Sequence, residues 1–330
     1  MAWRLVRNRI LSAARRYTSR VVGARAIWAF IKLGRPKFLA GGFLFYGIGA
    51  ALAVASGAPF DAPLFVWGQA IVTAAQLMTH YSNDFFDLEA DRANRTPTRW
   101  SGGSRVLPDG ILPPAVALGA ALVLCLVALG AALVLALRTD ERPLLLPIAV
   151  VITTLAWSYS APPARLAARG LGELTTAVVV TLCVPLLGYY LQSGEVHPRV
   201  FAACLLPCLL QFAMLLAIEL PDAAGDAVTG KRTLVVRMGA AAGARLYAVL
   251  TIAGFGALPL LARDVLPWRV AIAPLALAPL AIWQAARVVR GDYADPARWE
   301  SVAFWSVALV SWSGAAVLVA TMTLAWARGG

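Results

Sequence analysis

Two clusters of acidic residues follow long apolar stretches, and their spacing limits the chemistry they can support. The first reads Asn83-Asp84-Phe85-Phe86-Asp87-Leu88-Glu89-Ala90-Asp91, the second Glu219-Leu220-Pro221-Asp222-Ala223-Ala224-Gly225-Asp226. On a helix, Asp84, Asp87 and Asp91 stand at i, i+3 and i+7 and share one face. Glu219, Asp222 and Asp226 repeat that spacing, whereas Glu89 falls off the shared face and reads as solvated. Carboxylates at a bilayer margin are costly unless they are paired, hydrated or holding a cation. Two sets of hard oxygen ligands suit Mg²⁺, which usually keeps waters and substrate phosphates in its shell. The substrate this implies is a lipid diphosphate.

Basic and hydroxyl-bearing loops follow both clusters. After the first comes Thr96-Pro97-Thr98-Arg99-Trp100-Ser101-Gly102-Gly103-Ser104-Arg105, after the second Thr229-Gly230-Lys231-Arg232-Thr233-Leu234. Lys231 and Arg232 are placed to hold phosphate oxygens that a metal does not reach. The same basic residues also satisfy the rule that cytoplasmic loops are rich in Lys and Arg. His80, one turn before Asp84, reads as a packing residue. Trp157, Tyr159 and Trp100 read either as interface aromatics or as the lining of an aromatic pocket.

The elements that must position these residues are membrane helices. The 330-residue chain is 60% hydrophobic and only 14% charged, with a mean hydropathy of +0.73. A soluble domain is nearer a quarter charged. Nine apolar segments of about the length needed to cross hydrocarbon run over approximately 38–57, 62–83, 111–137, 143–160, 171–191, 200–219, 240–261, 268–289 and 301–327. The expected fold is therefore an all-α polytopic membrane bundle of nine transmembrane helices, occupying residues 36–330. The net charge of +12 would suggest nucleic acid in a soluble protein. Here most Lys and Arg fall in the N-terminal arm and in the loops after the second, fourth, sixth and eighth segments. That distribution follows membrane topology and gives no reason to expect a nucleic-acid partner. It puts the N-terminus and both acidic clusters on the cytoplasmic side and the C-terminus outside. Cys125, Cys183, Cys204 and Cys208 lie in apolar segments and read as packing residues.

The first 35 residues form a separate basic arm. Ten Lys or Arg occur before residue 38, and no acid precedes Asp61. Val6, Ile10, Ala14, Tyr17 and Val21 recur at three to four residues with arginines between them. The stretch fits an amphipathic helix on anionic lipid, a disordered tail, or an organelle transit peptide.

With Asn83-Asp84-x-x-Asp87-x-x-x-Asp91, Asp222-x-x-x-Asp226 and nine spans, the chain resembles the UbiA superfamily of intramembrane prenyltransferases over about residues 32–327. Tyr159-Ser160-Ala161-Pro162-Pro163, Arg169-Gly170-Leu171-Gly172-Glu173 and Gly230-Lys231-Arg232-Thr233-Leu234 are similar to 1,4-dihydroxy-2-naphthoate polyprenyltransferases of menaquinone synthesis. The resemblance implies that Asp84, Asp87, Asp91, Asp222 and Asp226 hold Mg²⁺ across a central cavity, and that Asn83 orients a ligand. It further implies that Lys231, Arg232 and Arg105 neutralise the diphosphate. Tyr159 belongs to the substrate-binding set. The implied reaction transfers a polyprenyl group from a prenyl diphosphate to an aromatic acceptor, within a bilayer expected to be a bacterial inner membrane. The naphthoate subfamily usually has Asn and Arg before the first Asp of the second motif, where this chain has Glu219 and Pro221. A carboxylate at Glu219 should repel an acceptor carboxylate unless a metal or a cation screens it. Other acceptors (4-hydroxybenzoate, a homogentisate, a tetrapyrrole, a lipid or sugar phosphate) remain open. So do a cation-coupled transporter and a non-catalytic scaffold.

Overall fold

The computed structural model describes residues 23–329. Most of the basic arm, residues 1–22, lies outside the described residues. Its last stretch is a helix, α1 (Ala24–Leu33), that turns Ala29 and Leu33 inward and leaves Ile27, Trp28 and Ile31 exposed. α2 (Pro36–Ala55) and α3 (Ala62–Phe86) follow. A Pro in the first turn opens both, where its missing N–H costs nothing. Asp61 caps α3 by accepting from the Leu64 N–H at 2.8 Å. The chain continues through α4 (Leu88–Ala93), α5 (Pro114–Ala136) and α6 (Leu145–Ser158). Then come α7 (Gly172–Ser193), α8 (Pro198–Glu219), α9 (Ala223–Val228) and α10 (Leu234–Met238). The last three are α11 (Ala240–Asp264), α12 (Trp268–Arg290) and α13 (Pro296–Gly329). Every regular element among the described residues is helical.

Seven of these helices are long and apolar enough to cross a bilayer: α2, α5, α7, α8, α11, α12 and α13. The remaining two expected segments are helices as well, but of a different kind. α3 has 25 residues and carries Gln69, Gln76, His80 and Asn83 along its length, while α6 has only 14 residues. Leu126, Val249 and Val319 are more than half exposed on the outer faces of spans, as helices facing lipid require.

α2, α3, α5 and α6 form one half of the bundle, and α7, α8, α11 and α12 the other. α13 packs against α2 and α8, so it closes the seam between the halves. The tightest seam is α2 on α7. A Cβ at Gly49 would stand 1.8 Å from the Pro185 carbonyl oxygen, and one at Gly188 would stand 2.3 Å from the Tyr46 carbonyl oxygen. Small residues let membrane helices approach closely where no hydrophobic force drives them together. α7 also carries a π-turn at Val179–Cys183, just before Pro185. Proline cannot donate to the ladder, and the wider turn absorbs the missing bond.

Gly49→Ala and Gly188→Ala should each destabilise the detergent-solubilised protein by about 2 kcal/mol or more, the range of overpacking. Gly119→Ala, where nothing stands within 4 Å of the new methyl, should be neutral or stabilising by up to ~1 kcal/mol. Equal melting temperatures for all three variants would refute the close seam.

Candidate active site

Both acidic clusters straddle the ends of spans rather than riding on single helices. α3 ends at Phe86, the backbone turns at Asp87 (φ −92, ψ 4), and Asp91 sits on α4. Glu219 is the last residue of α8, and Asp226 sits on α9. At the second break Pro221 offers no N–H and would clash with the carbonyl four residues back, so α8 cannot continue. The equivalent short helices α4 and α9 then pack on each other. A Cβ at Gly225 would meet the Asn94 backbone nitrogen at 3.0 Å.

This junction heads a cavity of about 470 Å³ that runs between the two halves. Asn83, Asp87, Asp91, Tyr159, Glu219, Asp222, Asp226 and Lys231 line its polar end; Ile152, Val180, Leu215 and Val310 line its apolar walls. Eight residues singled out in the sequence are thereby brought together. Three others lie elsewhere. Asp84 is fully buried outside the cavity wall, bound by Arg35 Nη2 at 2.5 Å, by the Ser104 N–H at 3.2 Å and by the Ser104 hydroxyl. Arg105 donates to the Asp91 carbonyl at 2.5 Å and pairs with Asp109 at 3.4 Å, so it braces the cluster from behind. Arg232 is exposed; its N–H donates to the Ala168 carbonyl at 3.1 Å. Neither Arg105 nor Arg232 is among the residues that line the cavity.

Sequence reasoning missed Arg35. It caps α2 in a left-handed conformation (φ 46) and lines the cavity, within 3.3 Å of Asn83 Oδ1 as well as on Asp84. Its only sequence signal was its place before Pro36 in a basic stretch.

Lys231 is the cation between the clusters. Its Nζ stands 2.9 Å from Asp87 Oδ2 and 3.5 Å from Asp226 Oδ1. Burial works against its charge, but Asp87 and Asp226 more than reverse this and hold it charged well above the usual lysine range. Asn83 donates to Asp87 Oδ2 at 2.9 Å and to Ser160 Oγ at 2.8 Å. Asp222 accepts from Asn94 Nδ2 at 2.6 Å and from the Gly102 N–H at 3.1 Å. The Gly102-Gly103 turn needs two consecutive positive φ angles, +73 and +72, which only glycine adopts freely. A Cβ at Gly103 would stand 2.1 Å from Asp91 Oδ2. Burial raises the Asp91 carboxyl to about 8 against the pull of Arg35, and the Asp226 carboxyl to about 6 against the pull of Lys231.

The donor set fits a hard divalent cation. Asp91 Oδ2 and Asp226 Oδ2 are buried without a hydrogen-bond partner, and both side chains line the one cavity. Among the described residues no three acids converge on a point, because Lys231 stands between the clusters. Mg²⁺ does not require such convergence: one or two carboxylates with water and phosphate complete its shell.

Residues 43–308 match the UbiA prenyltransferase family. The chain belongs to this family. It is 29% identical over 231 residues to the 1,4-dihydroxy-2-naphthoate octaprenyltransferase of Mycobacterium tuberculosis, covering 67% of this chain and 73% of that protein. Its fold is similar to that of a UbiA homolog from Aeropyrum pernix (TM-score 0.66, 17% identity, 86% of this chain and 98% of the other). It is also similar to a UbiA homolog from Archaeoglobus fulgidus bound to GPP and Mg²⁺ (TM-score 0.59, 14% identity, 88% and 99%). The protein is an integral membrane enzyme, an intramembrane prenyltransferase of the UbiA family.

For this UbiA-family enzyme the buried acids set a pH dependence when no metal is present. Asp91 is raised to about 8 in the fold, so the native state keeps a proton that the unfolded chain releases near pH ~4. Stability from this group is full at low pH and is lost as pH rises from ~4 through 8, at up to ~1.4 kcal/mol per unit. Asp226, raised to about 6, adds in the same direction over a narrower window. Metal-free protein should therefore melt at lower temperature as pH rises from 5 to 8, and Asp91→Asn should flatten the curve. A melting temperature independent of pH in the metal-free protein would count against this account.

Proposed function

We propose that the protein transfers a polyprenyl group from a prenyl diphosphate to a hydroxylated aromatic acceptor in a Mg²⁺-dependent reaction, with 1,4-dihydroxy-2-naphthoate as the leading acceptor. The observation that carries this reading is one cavity with acidic clusters and Lys231 at its head and apolar span walls below. The mycobacterial relative and the Tyr159–Pro163 and Arg169–Glu173 stretches support the naphthoate.

Asp87, Asp91, Asp222 and Asp226 would hold Mg²⁺, while Asp84 keeps Arg35 in place. Bound Mg²⁺ would offset the charge that builds on the departing diphosphate. Lys231 contributes a permanent positive charge at the same end, and Arg35 a second one at the wall. Ile152, Val180, Leu215 and Val310 give the prenyl chain an apolar bed and keep water from the reacting carbon. Tyr159 and Asn83 border the space where an aromatic ring would meet that carbon.

The chain is proposed to cross a bacterial inner membrane nine times, with α3 and α6 shielded by neighbouring helices. The α4–α9 junction then faces the cytoplasm. A reporter fused after Gly330 should read as external and one inserted at Pro97 as cytoplasmic. Both reporters on one side would overturn this topology.

The enzymatic test is purified protein in lipid with labelled prenyl diphosphate, Mg²⁺ or chelator, and a panel of 1,4-dihydroxy-2-naphthoate, 4-hydroxybenzoate and homogentisate. Prenylated product should form only with Mg²⁺, and preferentially on the naphthoate. Asp87→Ala and Asp222→Ala should each lower turnover by ~10²-fold or more, the scale of removing one strong electrostatic stabiliser. Near-normal turnover of both variants would sink the metal assignment. Transfer to another acceptor alone would sink the naphthoate.

A further inference from the structure

A second cavity, of about 360 Å³, lies at the end of the bundle opposite the acidic head. That volume is in the range of small-molecule sites. α2 brings Leu52 and Ser56 to it, roughly 25–30 Å along the helix from Arg35. α8 contributes Arg199 from its first turn, and α11 contributes Arg263 from its last. α12 and α13 add Val270 and Leu324. The pocket thus touches both halves of the bundle and the helix that closes the seam between them.

Two arginines in one pocket at this end call for a reason. On the proposed topology, the rule that enriches cytoplasmic loops in Lys and Arg works against them here. Arg263 already interacts within the protein. Arg199 is different: His197 Nδ1 holds its backbone N–H at 3.2 Å, but its exposed guanidinium pairs with no acid among the described residues. None of the residues lining the pocket is acidic. A guanidinium fork matches phosphate oxygens, and Ser56 adds a hydroxyl to the same lining. The walls are apolar and fixed. Leu52 and Val270 are buried, and the Leu266 N–H donates to the Leu261 carbonyl at 2.8 Å, which closes the corner between α11 and α12.

We propose that this pocket binds an anionic phospholipid from the leaflet opposite the acidic head. Its phosphate diester pairs with Arg199, with Arg263 and Ser56 beside it, and the first methylenes of an acyl chain lie along Leu52, Val270 and Leu324. Basic pockets between spans take such headgroups. The apolar walls favour a lipid over inorganic phosphate, which would leave them uncovered. The lack of an acid in the lining favours an anionic lipid over a zwitterionic one, whose ammonium would meet arginines. Such a lipid clips α2 to α8, α11 and α13 one to two turns beyond Gly49, at the end of the seam away from the acidic cavity. The inference does not depend on the reaction at the other end.

The test is thermal melting of the full-length, delipidated protein in non-ionic detergent, titrated with dioctanoyl phosphatidylglycerol, dioctanoyl phosphatidylcholine or inorganic phosphate. Phosphatidylglycerol should raise the melting temperature saturably, and the other two at equal concentration should not. Arg199→Gln should raise the half-saturating phosphatidylglycerol concentration about fivefold, the effect of one Arg on an anionic lipid. Arg138→Gln, at an exposed arginine on the same end but outside the pocket, should leave the titration unchanged. An equal response to phosphatidylcholine or to phosphate overturns the proposal, as does an equal shift in both arginine variants or none in Arg199→Gln. A melting gain that follows protein concentration instead of lipid assigns the pocket to a second copy and also overturns it. Should Arg199→Gln melt lower without lipid, Leu324→Trp decides, because it fills the apolar wall and keeps both arginines. An unchanged phosphatidylglycerol titration in that variant overturns the site.

Discussion

Acids at the end of a membrane span must find their counter-charge inside the protein, and the architecture of this site follows from that constraint. An unpaired carboxylate facing an apolar cavity costs several kcal/mol in lost hydration. Here Asp84 is matched by Arg35 at 2.5 Å, and Asp87 and Asp226 share Lys231. At an effective dielectric constant near 20, a unit pair about 3 Å apart gains on the order of 5 kcal/mol, close to what desolvation takes away. Such pairs therefore add little net stability. They fix where the charges stand. A site that nearly breaks even can exchange one cation for another without unfolding, which suits a cavity proposed to admit a diphosphate and its metal.

The bundle supplies a seam for that cavity. α2 and α7 meet through Gly49 and Gly188 at distances that exclude any side chain, so the two halves are held at a fixed separation. The π-turn before Pro185 lies in the part of α7 that forms the wall. At the head of the seam, the breaks at Asp87 and Pro221 turn α4 and α9 toward each other. Without those breaks, Asp91 and Asp226 would continue along their own helix axes. The Gly102-Gly103 turn then covers the junction, donating to Asp222 and passing against Asp91.

Much of this was legible in the sequence because few residues can do what it requires. Carboxylates at helical spacing after apolar runs have few structural uses, and Asp87, Asp91, Asp222, Asp226, Asn83, Lys231 and Tyr159 do line one cavity. Arginines were less legible. Topology alone places them in cytoplasmic loops, so no pattern tells that Arg105 donates to the Asp91 carbonyl and that Arg232 is exposed. Arg35 was hidden for the same reason, as one of ten basic residues at the N-terminus. Its role depends on a left-handed cap that no pattern announces. Glu173 was seen only as part of a subfamily-like stretch. Its Oε1 accepts the Leu234 N–H at 2.8 Å and so joins α7 to the start of α10, at a point that periodicity along one helix cannot reveal. The span count was legible to the extent that length and apolarity define a span. α3 and α6 depart from that definition because one lines a polar site and the other is short.

The two ends of the cavity also carry different kinds of information. The likeness to the archaeal UbiA homologs, at 14–17% identity and TM-scores of 0.59–0.66, is a likeness of helix packing. Packing is met by many apolar sequences of suitable volume. It fixes the helix arrangement, and it cannot choose the acceptor. On the proposed reading that choice falls to the few polar groups beyond the acidic head: Tyr159, Glu219 and the turn that Pro221 imposes. A site built to hydrogen-bond a hydroxyl discriminates strongly against substrates that lack one, because its own buried polar group is then left unpaired. Glu219 lines the cavity with a buried oxygen that has no hydrogen-bond partner, so on the proposed reading it is a group of this kind.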